Sequence, residues 1–135
     1  MAQTQAPTRV THVGTVLLNV DDQDRSLAFY QGVLGFEIRA DVRMGDSYRW
    51  LEVAPAGATT TIALCQPMEN APAPNRDNAS CCLNTTDIEA DHAYLKQQGV
   101  DVDEVMRQGD PVPPMFFFRD PDKNVLLFVE YRPEA

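Results

Sequence analysis

The sequence predicts an α+β fold: two βαβββ repeats forming curved mixed sheets around a cavity, with the helices outside. Three observations predict it. A strand, an acidic cap, a helix, a glycine stop and three strands occur in that order twice, on either side of a Pro- and Asn-rich stretch. The interval from Asp22 to Gly35 nearly equals that from Asp87 to Gly99, as an internal repeat requires. A four-stranded unit with one helix has a second face to bury, and the other unit can cover it.

Each element follows from its residues. Residues 1–9 read as a flexible tail. The run "VGTVLLNV" (13–20) is apolar and β-branched, hence a strand. "DDQD" supplies a cap and an acidic first turn. "RSLAFYQGVLG" then places Leu27, Tyr30 and Leu34 at helical spacing, and Gly35 stops the helix. "FEIRADVR", "YRWLEVAP" and "TTTIALCQP" complete a first repeat over 10–66. Residues 67–78 carry three prolines and three asparagines and read as a linker. The second repeat, 79–132, runs through the strand "ASCCLNTT", the cap Asp87, the helix "IEADHAYLKQQ" and Gly99. "VDVDEVMRQ", "PMFFFRD" and "NVLLFVEY" are its last strands.

Composition removes several function classes. The chain has 135 residues, 44% of them hydrophobic, with a net charge of −9 and no basic stripe. A phosphate backbone is repelled, so nucleic acid is not the expected partner. No apolar run reaches the length of a membrane span, and the N-terminus lacks a signal-type apolar stretch, so a cytoplasmic protein is expected. The cysteines are Cys65, Cys81 and Cys82, an odd count that argues against a disulfide framework.

Two segments carry a family resemblance. "NVDDQDRSLAFYQGVLGFEI" (19–38) and "FRDPDKNVLLFVE" (118–130) resemble the strand–helix segment and the "DPDGN" hairpin of the vicinal oxygen chelate superfamily. That superfamily includes glyoxalase I, extradiol dioxygenases and bleomycin resistance proteins. Lys123 stands where glycine is usual. The resemblance spans about residues 10–132. It implies dimers in many relatives, some with exchanged half-domains, for which the linker is a plausible hinge.

In metal-using relatives four cavity-facing strand positions hold His or Glu ligands. By spacing these fall on Thr15, Ala63, Cys81 and Leu127 here. None is His, Asp or Glu, so no metal and no cofactor are expected, and glyoxalase or dioxygenase chemistry is the least favoured reading.

Other groups carry candidate chemistry. His12 lies an odd number of residues from Thr15, hence on the opposite face, and His92 lies in a helix; both read as structural. Ala63 and Cys65 share a face by alternation, so Cys65 and Cys81 are expected to line one cavity, as small lining residues or as a thiol nucleophile. Tyr48, Trp50 and Glu52 alternate with Arg49, Leu51 and Val53. Facing the cavity, Trp50 stacks on a flat ligand and Glu52 accepts a hydrogen bond or acts as a base. Facing outward, Trp50 belongs to a subunit contact. Met115 and Phe117 share one face, Phe116 and Phe118 the other; one pair packs the core, and the second lines the pocket or joins it there.

The expected function is capture of a small, largely apolar or aromatic molecule in a cavity between the repeats, by a chain that forms a homodimer. Thr15, Tyr48, Trp50, Ala63, Cys65, Cys81, Met115, Phe117 and Leu127 are the expected ligand-binding residues. The alternative is a metal-free isomerase, lyase or cyclase on a carbonyl compound, with Glu52, Tyr48 or Cys81 as acid, base or nucleophile.

Overall fold

The computed structural model describes residues 7–67, 73 and 76–131. Residues 1–6 of the expected tail, 68–72 and 74–75 of the expected linker, and residue 132 of the second repeat lie outside the described residues. The first repeat contains β1 (Thr15–Asn19), α1 (Gln23–Leu27), β2 (Glu37–Met44), β3 (Tyr48–Ala54) and β4 (Thr61–Cys65). The second contains β5 (Cys81–Thr85), α2 (Ile88–Gln97), β6 (Asp101–Val102), β7 (Met115–Arg119) and β8 (Val125–Glu130). Each repeat makes a four-stranded sheet, ordered β1-β4-β3-β2 and β5-β8-β7-β6. The first and last strands of each repeat pair in parallel, and the other neighbours are antiparallel.

The punctuation residues act as their chemistry dictates. Asp22 and Asp87 each accept a hydrogen bond from the backbone N–H three residues on, at 3.1 Å in both. Gly35 and Gly99 have φ of 77° and 80°, the left-handed conformation that ends a helix.

Two elements differ from expectation. Beyond Leu27 the helix widens into π-helical turns over Ala28–Val33, with Leu34 N–H bonded to the Phe29 carbonyl at 3.1 Å. The wider turn buries the adjacent Phe29 and Tyr30 together, their rings edge to face at 5.1 Å. The expected strand over 100–108 shortens to two residues, followed by a lone bridge between Met106 and Met115. It is an edge strand, and Asp101, Asp103, Glu104 and Arg107 give it little β preference.

The core lies between the two sheets on their helix-facing sides. Leu18, Leu51, Val53 and Leu64 of the first sheet join Phe29 and Tyr30, and Phe116, Phe118 and Leu126 of the second join Ile88 and Leu95. Phe116 and Phe118 are thus the core pair. Burying each such side chain contributes about 1.5–3 kcal/mol.

The β7–β8 hairpin ties the repeats together. The Asp120 carboxylate accepts from the backbone N–H groups of Asp122 and Asn124, both at 2.9 Å, from the Tyr30 hydroxyl at 2.8 Å and from the Asn124 amide at 3.0 Å. Burial, reinforced by that carboxylate, pushes the Tyr30 hydroxyl pKa well above its ordinary value. Asp122 accepts from Asp21 N–H and the Arg25 guanidinium, each at 2.8 Å, and the Asn124 amide donates to the Asn19 carbonyl at 2.9 Å. The second repeat is therefore clamped onto the β1–α1 junction of the first.

Lys123 adopts φ of 69° at the tip of this hairpin. A β-carbon in the left-handed region costs about 1–2 kcal/mol. Lys123→Gly is expected to raise the unfolding free energy by about 0.5–1 kcal/mol after the loss to glycine's freer unfolded chain. Urea denaturation measures it, and a lower midpoint would show that the lysine side chain contributes more than its backbone costs.

Candidate functional site

Each sheet turns one face away from the core. On the first sheet strand register places Thr15, Leu17, Tyr48, Trp50, Glu52 and Ala63 together, with Cys65 at the end of β4. Leu17, Val42 and Met44 are 61%, 50% and 54% exposed on this face, an unusual amount of open apolar surface for one side of a sheet. On the second sheet the open face carries Met115, Phe117 and Leu127, with Cys82 beside Leu127.

A polar chain crosses the first open face. The Trp50 indole N–H donates to one oxygen of Glu52 at 2.5 Å, and the Thr61 hydroxyl donates to the other at 2.6 Å. Thr15 Oγ1 lies 3.0 Å from Thr61 Oγ1. Ala63, between Leu17 and Glu52 in the register, is fully buried beneath its neighbours. The alternation of β3 made Trp50 and Glu52 legible as a pair. Thr61 carries no such signal in the sequence, because its partnership with Glu52 runs across strands.

The expected constellation divides. Thr15, Tyr48, Trp50, Ala63 and Cys65 share the first open face, and Met115, Phe117 and Leu127 share the second. Cys81 departs from this pattern: it pairs with Leu126 on the helix-facing side, while Cys82 shares the face of Leu127. Cys65 and Cys81 therefore do not line one face. The sequence "CCLNT" offers two adjacent identical side chains, so its parity is fixed only by pairing with β8. Cys81 instead lines a pocket of about 610 Å³ between the repeats, walled by Val16 and Ile62, by Leu83 and Phe128, and by Tyr94 and Leu95 of α2. Phe36 and the Asp91 carboxylate also line it, but of the expected ligand-binding residues only Cys81 does, and Trp50 and Glu52 do not; we take the open faces as the candidate site.

The thiols are poorly suited to nucleophilic work. Burial pushes the Cys81 pKa up to about 11. Burial, aided by the charge of Glu52, raises that of Cys65, and burial raises that of Cys82. His12 is exposed, with Nδ1 2.8 Å from Thr11 Oγ1. His92 lies 2.9 Å from the Asp103 carbonyl and packs edge-on against Phe116.

The donors do not fit a divalent ion. Thr15, Ala63 and Leu127 supply neither imidazole nor carboxylate, and among the described residues no three His, Cys, Asp or Glu side chains come together. Leu127→Glu is expected to leave metal content substoichiometric after incubation with nickel or zinc and desalting, because Thr15 and Ala63 still leave the site short of the three protein ligands either ion needs. Tight retention would show that the ligand positions are placed wrongly.

The family model for the glyoxalase/bleomycin resistance protein/dioxygenase superfamily matches residues 9–128. The chain belongs to this superfamily. Superfamily likeness extends over nearly the whole chain in individual comparisons. The uncharacterized protein YetH of Bacillus subtilis (strain 168) is 33% identical over 124 residues, covering 90% of this chain and 99% of its own. TnmS3, an antibiotic binding protein from Streptomyces sp. CB03234, is 33% identical with a TM-score of 0.77, covering 93% and 99%. A superfamily member from Sphaerobacter thermophilus DSM 20745 is 31% identical with a TM-score of 0.79, covering 92% and 100%. No helix among the described residues is long and apolar enough to cross a membrane.

Proposed function

We propose that this superfamily member binds a small, largely apolar or aromatic molecule without a metal ion and returns it unchanged. The observation that carries the reading is the Trp50–Glu52–Thr61–Thr15 chain set in an exposed apolar sheet face. A flat indole fixed by a carboxylate offers a stacking surface, and the apolar rim removes ligand area from water. The antibiotic-binding role of TnmS3 agrees with capture rather than turnover. A metal-free isomerase or lyase needs a free base or nucleophile. The thiols have raised pKa values, and Glu52 is tied to the Trp50 indole and the Thr61 hydroxyl with lone pairs left for a ligand donor, so the geometry favours the binder.

The occupant of the open faces is a second copy of this chain. A sheet with one face on its helices needs a cover for the other. A two-fold dimer that sets the first sheet of one protomer against the second sheet of its partner brings Trp50 and Glu52 opposite Phe117 and Leu127 and encloses a cleft. Sedimentation at micromolar concentration is expected to give twice the chain mass; a monomer at that concentration would remove this cleft.

Capture itself is tested by thermal-shift screening of planar apolar compounds, then by mass spectrometry of the recovered compound. Saturation with the compound intact is the expected result. A converted product would assign an enzyme, and stoichiometric metal in the purified protein would return the chain to metal-dependent chemistry.

A further inference from the structure

Glu52 stands apart electrically. At the bulged end of β2 the first open face carries Glu37, and Arg39 neutralises it in an ion pair at 2.7 Å. The guanidinium of Arg49 is on the other side of β3, held by Asp41 and Asp24. Glu52 is therefore an uncompensated carboxylate among Ala40, Val42, Trp50 and Leu17.

Its two hydrogen bonds fix its position without exhausting it. A carboxylate has about four lone-pair sites. One is taken by the Trp50 indole and one by the Thr61 hydroxyl. The remaining lone pairs stay open to a third donor. The bond to Nε1 also sets the plane of the indole, so ring platform and carboxylate keep a constant relation.

We propose that Glu52 determines ligand specificity by charge: the open face selects a flat ring that is cationic or carries an N–H or O–H donor at its edge, and rejects a flat anion. The inference rests on the binding reading above. A donor at the ring edge completes the carboxylate while the ring lies on Trp50. A cation gains a charge-assisted bond in a partly desolvated setting, where such bonds are roughly twice as strong as neutral ones. An anion meets like charge, and Arg39, the cation at the bulged edge, is already held by Glu37 and by the Pro55 and Ala58 carbonyls.

The test uses three tricyclic probes of one shape: 9-aminoacridine as the cation, acridone as the neutral N–H donor and acridine-9-carboxylate as the anion. Calorimetry gives the affinities. The chain has one tryptophan, so quenching of its emission gives a second readout that a probe is bound. Wild type is expected to prefer the cation over the anion by at least about tenfold, the equivalent of one charge-assisted bond. Glu52→Gln keeps an acceptor for the indole and an N–H that Thr61 can accept. It is expected to weaken the cation about tenfold, to strengthen the anion, and to change acridone by less than about threefold. Glu89→Gln removes the same unit of charge from α2, away from this face, and is expected to leave all three affinities within about twofold if the long-range field is not the cause.

Each outcome decides. Equal binding of cation and anion to wild type overturns the charge selection and leaves the binding reading standing. The same holds if Glu52→Gln fails to change the preference, or if Glu89→Gln changes it equally. Failure of all three probes to bind or to quench overturns the planar-ligand reading and this inference with it.

Discussion

Replacing Asp120 with alanine is expected to lower the unfolding free energy by about 3–5 kcal/mol, the range for removing one partner from a buried charged network. The carboxylate gathers four donors, two from backbone and two from side chains. Truncation leaves the two backbone N–H groups and the Tyr30 hydroxyl without their acceptor, while the Asn124 amide keeps the Asn19 carbonyl, and each buried unpaired donor costs about 1–3 kcal/mol before water or local relaxation recovers part of it. Domains of this kind have only about 5–15 kcal/mol in total. Asp120→Asn keeps an acceptor but introduces an extra N–H, so an intermediate loss is expected. Tyr30→Phe removes only the hydroxyl and should cost about 1–2 kcal/mol. Urea titration of the three variants gives the order. A loss below about 1 kcal/mol for Asp120→Ala would mean that water replaces the carboxylate and that the hairpin clamp contributes little.

Trp50→Ala is expected to weaken a planar aromatic ligand by about 1–3 kcal/mol, between fivefold and more than a hundredfold. The loss comes from ring area and from stacking. Trp50→Phe separates these: it keeps a ring on the face but removes the indole N–H, so Glu52 loses one of its two donors. An affinity between those of alanine and wild type is the expected result by calorimetry. If Trp50→Ala leaves affinity unchanged and alters sedimentation, the indole serves the subunit contact instead.

The sequence shows most of the frame because its signals are local. Asp22, Asp87, Gly35 and Gly99 each act within a few residues, and strict alternation over Tyr48–Val53 and Met115–Arg119 fixes which side chains share a face. Signals that depend on a neighbour were not legible. The phase of β5 is fixed by Leu126 and Leu127, and the π-helical turns carry Phe29 and Tyr30, whose partners Phe118 and Asp120 lie in the other repeat. The same limit applies to the candidate site: alternation groups Trp50 with Glu52, but the hold of Thr61 on that carboxylate comes from an adjacent strand, as does the fully buried Ala63 beside it.

The hairpin clamp also sets an order of events along the chain. The bond from Asp21 to Asp122 joins residues 101 apart in sequence, and that from Asn124 to Asn19 joins residues 105 apart. Contacts of such span form late, since most of the loop-closure entropy must be overcome before they contribute anything. On the ribosome the first repeat emerges with its β1–α1 junction uncovered, and it waits for the last strand to arrive. During that interval the same acceptors and donors would be open to a hairpin from a second chain. The ratio of intramolecular to exchanged closure is then a matter of local chain concentration during synthesis, and refolding from dilute and from concentrated solution samples its two limits.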